Sequence, residues 1–236
     1  MNNPIKSLYR AVIPKKIRAL PFVNRIKSAL LPHNFIYDSE YYEKSVDPAA
    51  RQSAAIMARS IVRDTGARRI LDVGCGTGAM LGALRELEIS GKGLEYSEAA
   101  LAICSSKGIL AKKFDIEYDK LTAEYINAFD VVISTEVAEH LPERVADPYV
   151  DTLAAAAPIV VMTAAPPGQG GVDHVNEQPK SYWIEKFRCR GFVERLDLSE
   201  KWSTEWQNGG IVTFWYFQNL MVFERKVDLD RRLSDN

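Results

Sequence analysis

Asp72-Val73-Gly74-Cys75-Gly76-Thr77-Gly78 closes the apolar run Arg69–Val73 (RILDV) and leads into Met80–Leu87 (MLGALREL), whose apolar residues recur at helical spacing. The order is strand, glycine turn, helix. Three glycines at alternate positions let the backbone turn tightly and approach a ligand with no side chain in the way, and the helix behind them offers unpaired N–H groups. A flat or charged ligand is expected there. The G-x-G-x-x-G dinucleotide fingerprint would need its third glycine at position 79, where this chain has Ala79.

Working outward, Ser53–Arg63 has helical spacing and Gly66 offers a stop. Downstream, Lys92–Glu95 reads as a strand, Glu98–Lys107 as a helix, Leu110–Phe114 as a strand, and Phe129–Ser134 (FDVVIS) as a strand buried on both faces. Pro148–Ala157 reads as helix, Ile159–Thr163 (IVVMT) as buried strand, Lys180–Arg190 as helix, Phe192–Asp197 as strand and Asn219–Glu224 as a last strand. Alternating strands and helices predict a doubly wound, Rossmann-like α/β fold: a mostly parallel seven-stranded sheet with helices on both faces.

With an acid at the strand end, the D-x-G-x-G-x-G form resembles motif I of class I S-adenosylmethionine-dependent methyltransferases. The resemblance covers Ala67 to about Glu224. It implies S-adenosyl-L-methionine as cofactor, held around Asp72, Gly74, Cys75, Gly76, Thr77 and Gly78, with Asp72 ordering the loop or acting through water. Glu95 ends the next strand, where an acceptor-only carboxylate can take both ribose hydroxyls, with Tyr96 beside it. Asp115 ends the third strand; in the resembling family an acid there accepts the adenine amino group, and Ile116 completes the pocket. Each acid has a plainer alternative, since a carboxylate after a strand often caps the next helix.

The fourth strand is followed by Ser134-Thr-Glu136-Val-Ala-Glu139-His140-Leu-Pro. Ligands of open α/β sheets gather at the carboxyl ends of the strands, which puts this segment beside the transferable methyl group and Glu136 also at the cofactor. Glu136 lies three and four residues before Glu139 and His140, and two carboxylates with an imidazole suit a divalent cation. The E-x-x-E-H string looks like that of ubiquinone-pathway O-methyltransferases and of small-RNA 3′-terminal 2′-O-methyltransferases. In the latter, a second downstream histidine completes a metal site that grips a vicinal diol. Here the candidate is His174, in the loop Pro166–Gln178, whose glycine-rich start permits a lid. Two readings follow: a Mg2+ or Mn2+ site of Glu136, Glu139, His140 and His174, or histidines that act as base or order a loop. Either way Glu136, His140 and His174 are the candidate catalytic residues. The chain departs from the RNA enzymes in its shorter spacing to the second histidine and in lacking their long accessory regions.

Charge and composition bound the remainder. The chain has 236 residues and a net charge of −1, but Met1–Tyr37 holds seven Lys or Arg and no acid, leaving 23 basic against 31 acidic residues beyond it. Apolar residues interleave with these cations, which suits either peripheral contact with an anionic bilayer or another acidic surface, or a solvated lid. Pro14, Pro21 and Pro32 break the segment into short pieces. We therefore divide the chain into a basic amphipathic arm or lid (1–50), a methyltransferase domain (51–225) and a charged tail (226–236). The three cysteines, Cys75, Cys104 and Cys189, have unrelated spacings that give neither a disulfide framework nor a zinc ribbon. With no stretch of roughly 18 apolar residues and no leader pattern, a cytoplasmic protein is expected, with peripheral contact at the inner membrane face. The acidic body makes nucleic acid an unexpected partner.

A hydroxyl needs help to lose its proton, whereas nitrogen and carbon acceptors need less, so the carboxylate-histidine cluster favours O-methylation. The expected function is methylation of a hydroxyl on a sugar, polyol or membrane-linked glycan. The alternatives are a small phenolic or quinone-like acceptor and, in another class, a non-catalytic cofactor-binding subunit.

Overall fold

The computed structural model describes residues 47–210 and 213–228. The basic segment 1–37 and the tail beyond residue 228 lie outside the described residues. Helix α1 (Asp47–Thr65) precedes β1 (Arg69–Val73), α2 (Ala79–Glu86), β2 (Ser90–Glu95), α3 (Glu98–Ser106) and β3 (Ala111–Lys113). Then come β4 (Val131–Thr135), α4 (Ala146–Ala156), β5 (Ile159–Thr163), α5 (Lys180–Arg188), β6 (Phe192–Glu194), α6 (Leu196–Asn208), α7 (Phe214–Gln218) and β7 (Leu220–Arg225).

The seven strands form one sheet in the order β3-β2-β1-β4-β5-β7-β6. The first five are parallel to their neighbours, whereas β7 runs antiparallel to both β5 and β6. The strand alternation explains the helices on both faces. Ile70, Val131, Ile133, Ile159 and Val161 face a core shared with α1, α2 and α6, while Leu71, Val132, Val160 and Met162 face a second core under α4 and α5. A strand buried on both sides has no polar face to show, which is why these runs read as continuously apolar. The chain order reverses between β1 and β4, so the carboxyl ends of β1, β2, β4 and β5 open on one edge, the position where ligands of such sheets bind.

One expected strand is too long. Phe192–Asp197 was to be extended throughout, but β6 stops at Glu194 and Leu196 begins α6. The alternation of Val193, Arg195 and Asp197 mimics a strand. Arg195 instead pairs with Glu224 and with Asp197, and the helix buries Leu198, Trp202 and Trp206 at four-residue intervals against α1. The short helix α7 was likewise not expected from the sequence.

Candidate active site at the carboxyl edge of the sheet

The glycine turn carries three left-handed residues, Gly74 (φ 76), Gly76 (φ 53) and Gly78 (φ 76). Only glycine adopts these angles without strain, and two of the three also need the missing side chain for space. A Cβ on Gly74 would stand 2.4 Å from Val137 Cγ2, and one on Gly78 2.7 Å from Ile109 Cδ1. Gly78 is the N-cap of α2, with no side-chain cap and no acid in the first turn, so the positive end of the helix is left to a ligand.

Glu95 ends β2 and holds the turn from the side. Its Oε2 accepts from Gly76 N–H at 2.8 Å and its Oε1 from Ser97 N–H at 2.7 Å. Burial raises its pKa, opposed by the N–H groups of Ser97, Gly76 and Tyr96. Asp72 is fully enclosed beneath the turn, where burial first and then the Glu95 charge push its pKa from the ordinary 3.8 to about 7. Two buried acids therefore stand at the mouth of the turn. Cys75 and Cys104 pack on its underside, with Cys104 Sγ 3.3 Å from Gly76 O, and Lys107 Nζ donates to the buried Thr77 carbonyl at 3.1 Å. At the end of β3, the half-buried Asp115 Oδ1 accepts from Glu117 N–H at 2.9 Å, closing a small turn, with Ile116 packed against the core beside it. Tyr96 is half-buried, with Lys113 Nζ 5.9 Å from its ring centroid.

The second half of the edge is built from side chains. Glu136 follows β4 in a left-handed conformation (φ 54) that a residue with a Cβ rarely adopts. Its N–H is held by Thr163 at the end of β5, through Oγ1 at 3.0 Å and the carbonyl at 3.3 Å. This bend turns the chain into a short 3-10 turn, Ala138–His140, that carries the next two candidates. Glu139 is fully buried, and among the described residues neither of its carboxyl oxygens, nor Glu136 Oε1, meets a hydrogen-bond donor. Burial and then the facing Glu136 charge push Glu139 well above the usual carboxylate range.

The loop after β5 closes over these residues. Val175 N–H and Asn176 N–H both donate to Glu139 O, at 2.9 and 3.0 Å, while His140 Nδ1 lies 3.2 Å from Asp173 O. Asp173 is itself left-handed (φ 68). The rings of His140 and His174 meet edge to face at 5.0 Å, and one ligand atom each from Glu139, His140 and His174 lie within 4.8 Å of one another. The structure thus brings together three of the four residues the sequence proposed as a cluster, and Glu136 stands beside Glu139 but outside that group.

Sequence reasoning missed the supports of that cluster. His174 Nδ1 contacts Glu177 Oε1 at 2.8 Å, and the same carboxylate accepts from Gly168 and Gly170 N–H at 2.8 and 2.7 Å. Burial opposes ionisation of Glu177, but His174 and the two glycine N–H groups outweigh it and hold its carboxyl below the usual range. The ring of His174 lies over Gly171, where a Cβ would come within 2.2 Å of Nε2. The one available signal was the three-residue spacing of Glu177 from His174 in a glycine-rich loop.

The sheet with its reversed last strand, the glycine turn after β1 and the acid ending β2 together define a class I methyltransferase fold. In these features the chain is similar to the class I S-adenosylmethionine-dependent methyltransferases. Residues 51–161 match the family model of the methionine biosynthesis protein MetW. A ubiquinone biosynthesis O-methyltransferase of Pseudomonas entomophila is 31% identical over 127 residues, 50% of this chain and 48% of that protein. Its counterpart from Alkalilimnicola ehrlichii is 30% identical over 145 residues, 59% and 53% of the two chains. The chain therefore spans about half the length of the curated relatives it matches. Among solved structures, an amino pentose methyltransferase from Micromonospora echinaspora overlays with a TM-score of 0.56 at 17% identity, over 79% of this chain and 94% of that one. The magnesium protoporphyrin IX methyltransferase of Synechocystis, with bound SAH, gives 0.52 at 15% identity over 80% and 90%. Likenesses at such identity concern the fold alone.

Proposed function

We propose that this protein is an S-adenosylmethionine-dependent O-methyltransferase whose acceptor is a small phenolic or quinone-like metabolite presenting adjacent oxygens. The observation that carries the reading is the buried carboxyl pair Glu136–Glu139 with two imidazoles beside it, at the strand edge next to the glycine turn. The O-methyltransferase names of the matched relatives favour a phenolic or quinone-like acceptor over the sugar, polyol or glycan that the cluster alone first brings to mind.

In this reading the Gly74–Gly78 backbone and the open start of α2 take the aminoacyl end of S-adenosylmethionine. Glu95 takes the ribose hydroxyls, with Tyr96 alongside, and Asp115 and Ile116 border the adenine. S-adenosylmethionine supplies a sulfonium-bound methyl group for in-line displacement by the acceptor oxygen. The carboxyl oxygens that lack a donor among the described residues fit a Mg2+ or Mn2+ held by Glu139, His140 and His174, with Glu136 beside Glu139 as the fourth candidate, and the ion would supply Lewis-acid activation of a hydroxyl. His140 or His174 holds the proton that leaves the acceptor, and the loop over them excludes water from the reacting oxygen. The basic segment 1–37 is the candidate for drawing a membrane-borne acceptor or for covering the site. Among the described residues, no helix is long and apolar enough to cross a membrane.

The test is methyl transfer from labelled S-adenosylmethionine to a catechol, a single phenol and a polyol, each with and without chelator. Methyl ether formed on the catechol, lost with chelator and restored by Mg2+ or Mn2+, is the expected result. Transfer to the polyol alone would favour the sugar reading, and tight donor binding with no acceptor turned over would favour a non-catalytic role.

A further inference from the structure

Resting on the methyl-transfer reading of this site, we propose that Glu177 is a positioning residue. It fixes His174 as the Nδ1–H tautomer, so that Nε2 is the nitrogen this ring turns to a divalent cation or to the acceptor proton, while the Asp173 carbonyl in the same loop sets His140 as the Nδ1–H tautomer. A carbonyl can only accept, so the 3.2 Å contact between His140 Nδ1 and Asp173 O requires a proton on that nitrogen. On His174 the same role falls to the Glu177 carboxylate, 2.8 Å from Nδ1. Both partners belong to the one loop that follows β5. Two imidazoles from different parts of the chain are therefore set by a single piece of backbone, itself pinned to Glu139 O by Val175 and Asn176 N–H.

Glu177 is equipped for this and little else. It lies in no helix or strand, and its two oxygens are taken up by Gly168 N–H, Gly170 N–H and His174. The two glycines, both at positive φ (88 and 69), fold the loop back on the carboxylate, so two backbone N–H groups hold it besides His174. The His174 ring then has one seat, between Glu177 and the bare Cα of Gly171. A carboxylate behind an imidazole fixes the ring's orientation and raises the basicity of the nitrogen on the other side, and losing such a partner weakens metal binding by roughly 10–100-fold.

The experiment compares the full chain with Glu177→Ala and Glu177→Gln, using two readouts. Nitrogen-15 NMR of the imidazoles reads the His174 tautomer without metal, and calorimetry with Mn2+ reads cation affinity. The expected result is a pure Nδ1–H tautomer in the wild type, a mixture in E177A with Mn2+ affinity lower by roughly 10–100-fold, and an intermediate state in E177Q. Should E177A fail to fold, E177Q still separates the outcomes, because its neutral oxygen keeps one acceptor but loses the charge. An unchanged tautomer in both variants overturns the inference and leaves the methyl-transfer reading intact. Wild-type protein that gives no heat with Mn2+ overturns the metal part of that reading, and the tautomer readout then decides the role of Glu177 alone.

Discussion

At the glycine turn every left-handed residue is a glycine, Gly74, Gly76 and Gly78, whereas across the same sheet edge Glu136 and Asp173 are left-handed as well as Gly168 and Gly170. The first arrangement is made by five consecutive residues and carries no steric strain. The second costs on the order of 1–3 kcal/mol per residue and survives only because contacts from far along the chain hold it. Glu136 N–H is tied to Thr163 across 27 positions, and His140 to Asp173 across 33. The cofactor half is thus a backbone device, tolerant of neighbours and local in sequence. The acceptor half is a side-chain device under strain. The two touch where Val137 fills the space left by the missing Cβ of Gly74.

The largest effect that would sharpen this division is expected from His140→Ala. Turnover should fall by roughly 10²–10⁴-fold, the usual span for a lost acid–base group, while calorimetric affinity for S-adenosylmethionine stays unchanged. Parallel loss of both would break the separation into halves. Next in size is the stability effect of Asp72. Its pKa rises on folding from 3.8 to about 7, so its contribution is most favourable below pH 3.8 and is lost as pH climbs toward 7. That loss is roughly 4 kcal/mol. Thermal melts of Asp72→Asn should therefore gain on wild type at pH 8 and show little gain near pH 4; an equal gain at both would contradict the assignment.

The join between the halves gives the third prediction. Gly74→Ala adds a left-handed Cβ and a clash with Val137, together worth roughly 2–4 kcal/mol in urea unfolding. The double variant Gly74→Ala/Val137→Ala should recover the packing part and leave only the conformational part. No recovery would mean that the contact is unimportant. Smallest, Glu136→Gly relieves the strained φ and the buried like charge, and should raise stability by about 1–2 kcal/mol while abolishing transfer. A destabilised variant would show that the carboxylate is there for the fold.

The same contrast explains what could be read from the sequence. β5 was legible to the residue because a strand buried on both faces reads as an apolar run, and β1 because it leads straight into a glycine spacing that lies in one short stretch. Glu95 was visible because it ends the next strand. In the acceptor half, Glu136, Glu139, His140 and His174 could be named as residue types with ligand chemistry. Their supports could not: Glu177 acts through His174, Asp173 through its carbonyl, and Thr163 through a hydrogen bond between neighbouring strands. None of these leaves a compositional mark. Helix α6 was hidden for another reason, since Val193, Arg195 and Asp197 alternate like a strand until a partner for Arg195 is found at Glu224, on β7.

Calorimetry of the full chain with S-adenosylmethionine, its demethylated product and a nicotinamide dinucleotide tests the central claim most directly. The account predicts heat with both sulfonium donor and product, abolished in Gly74→Ala, and none with the dinucleotide. Binding of the dinucleotide with no response to either methyl-cycle ligand would contradict it.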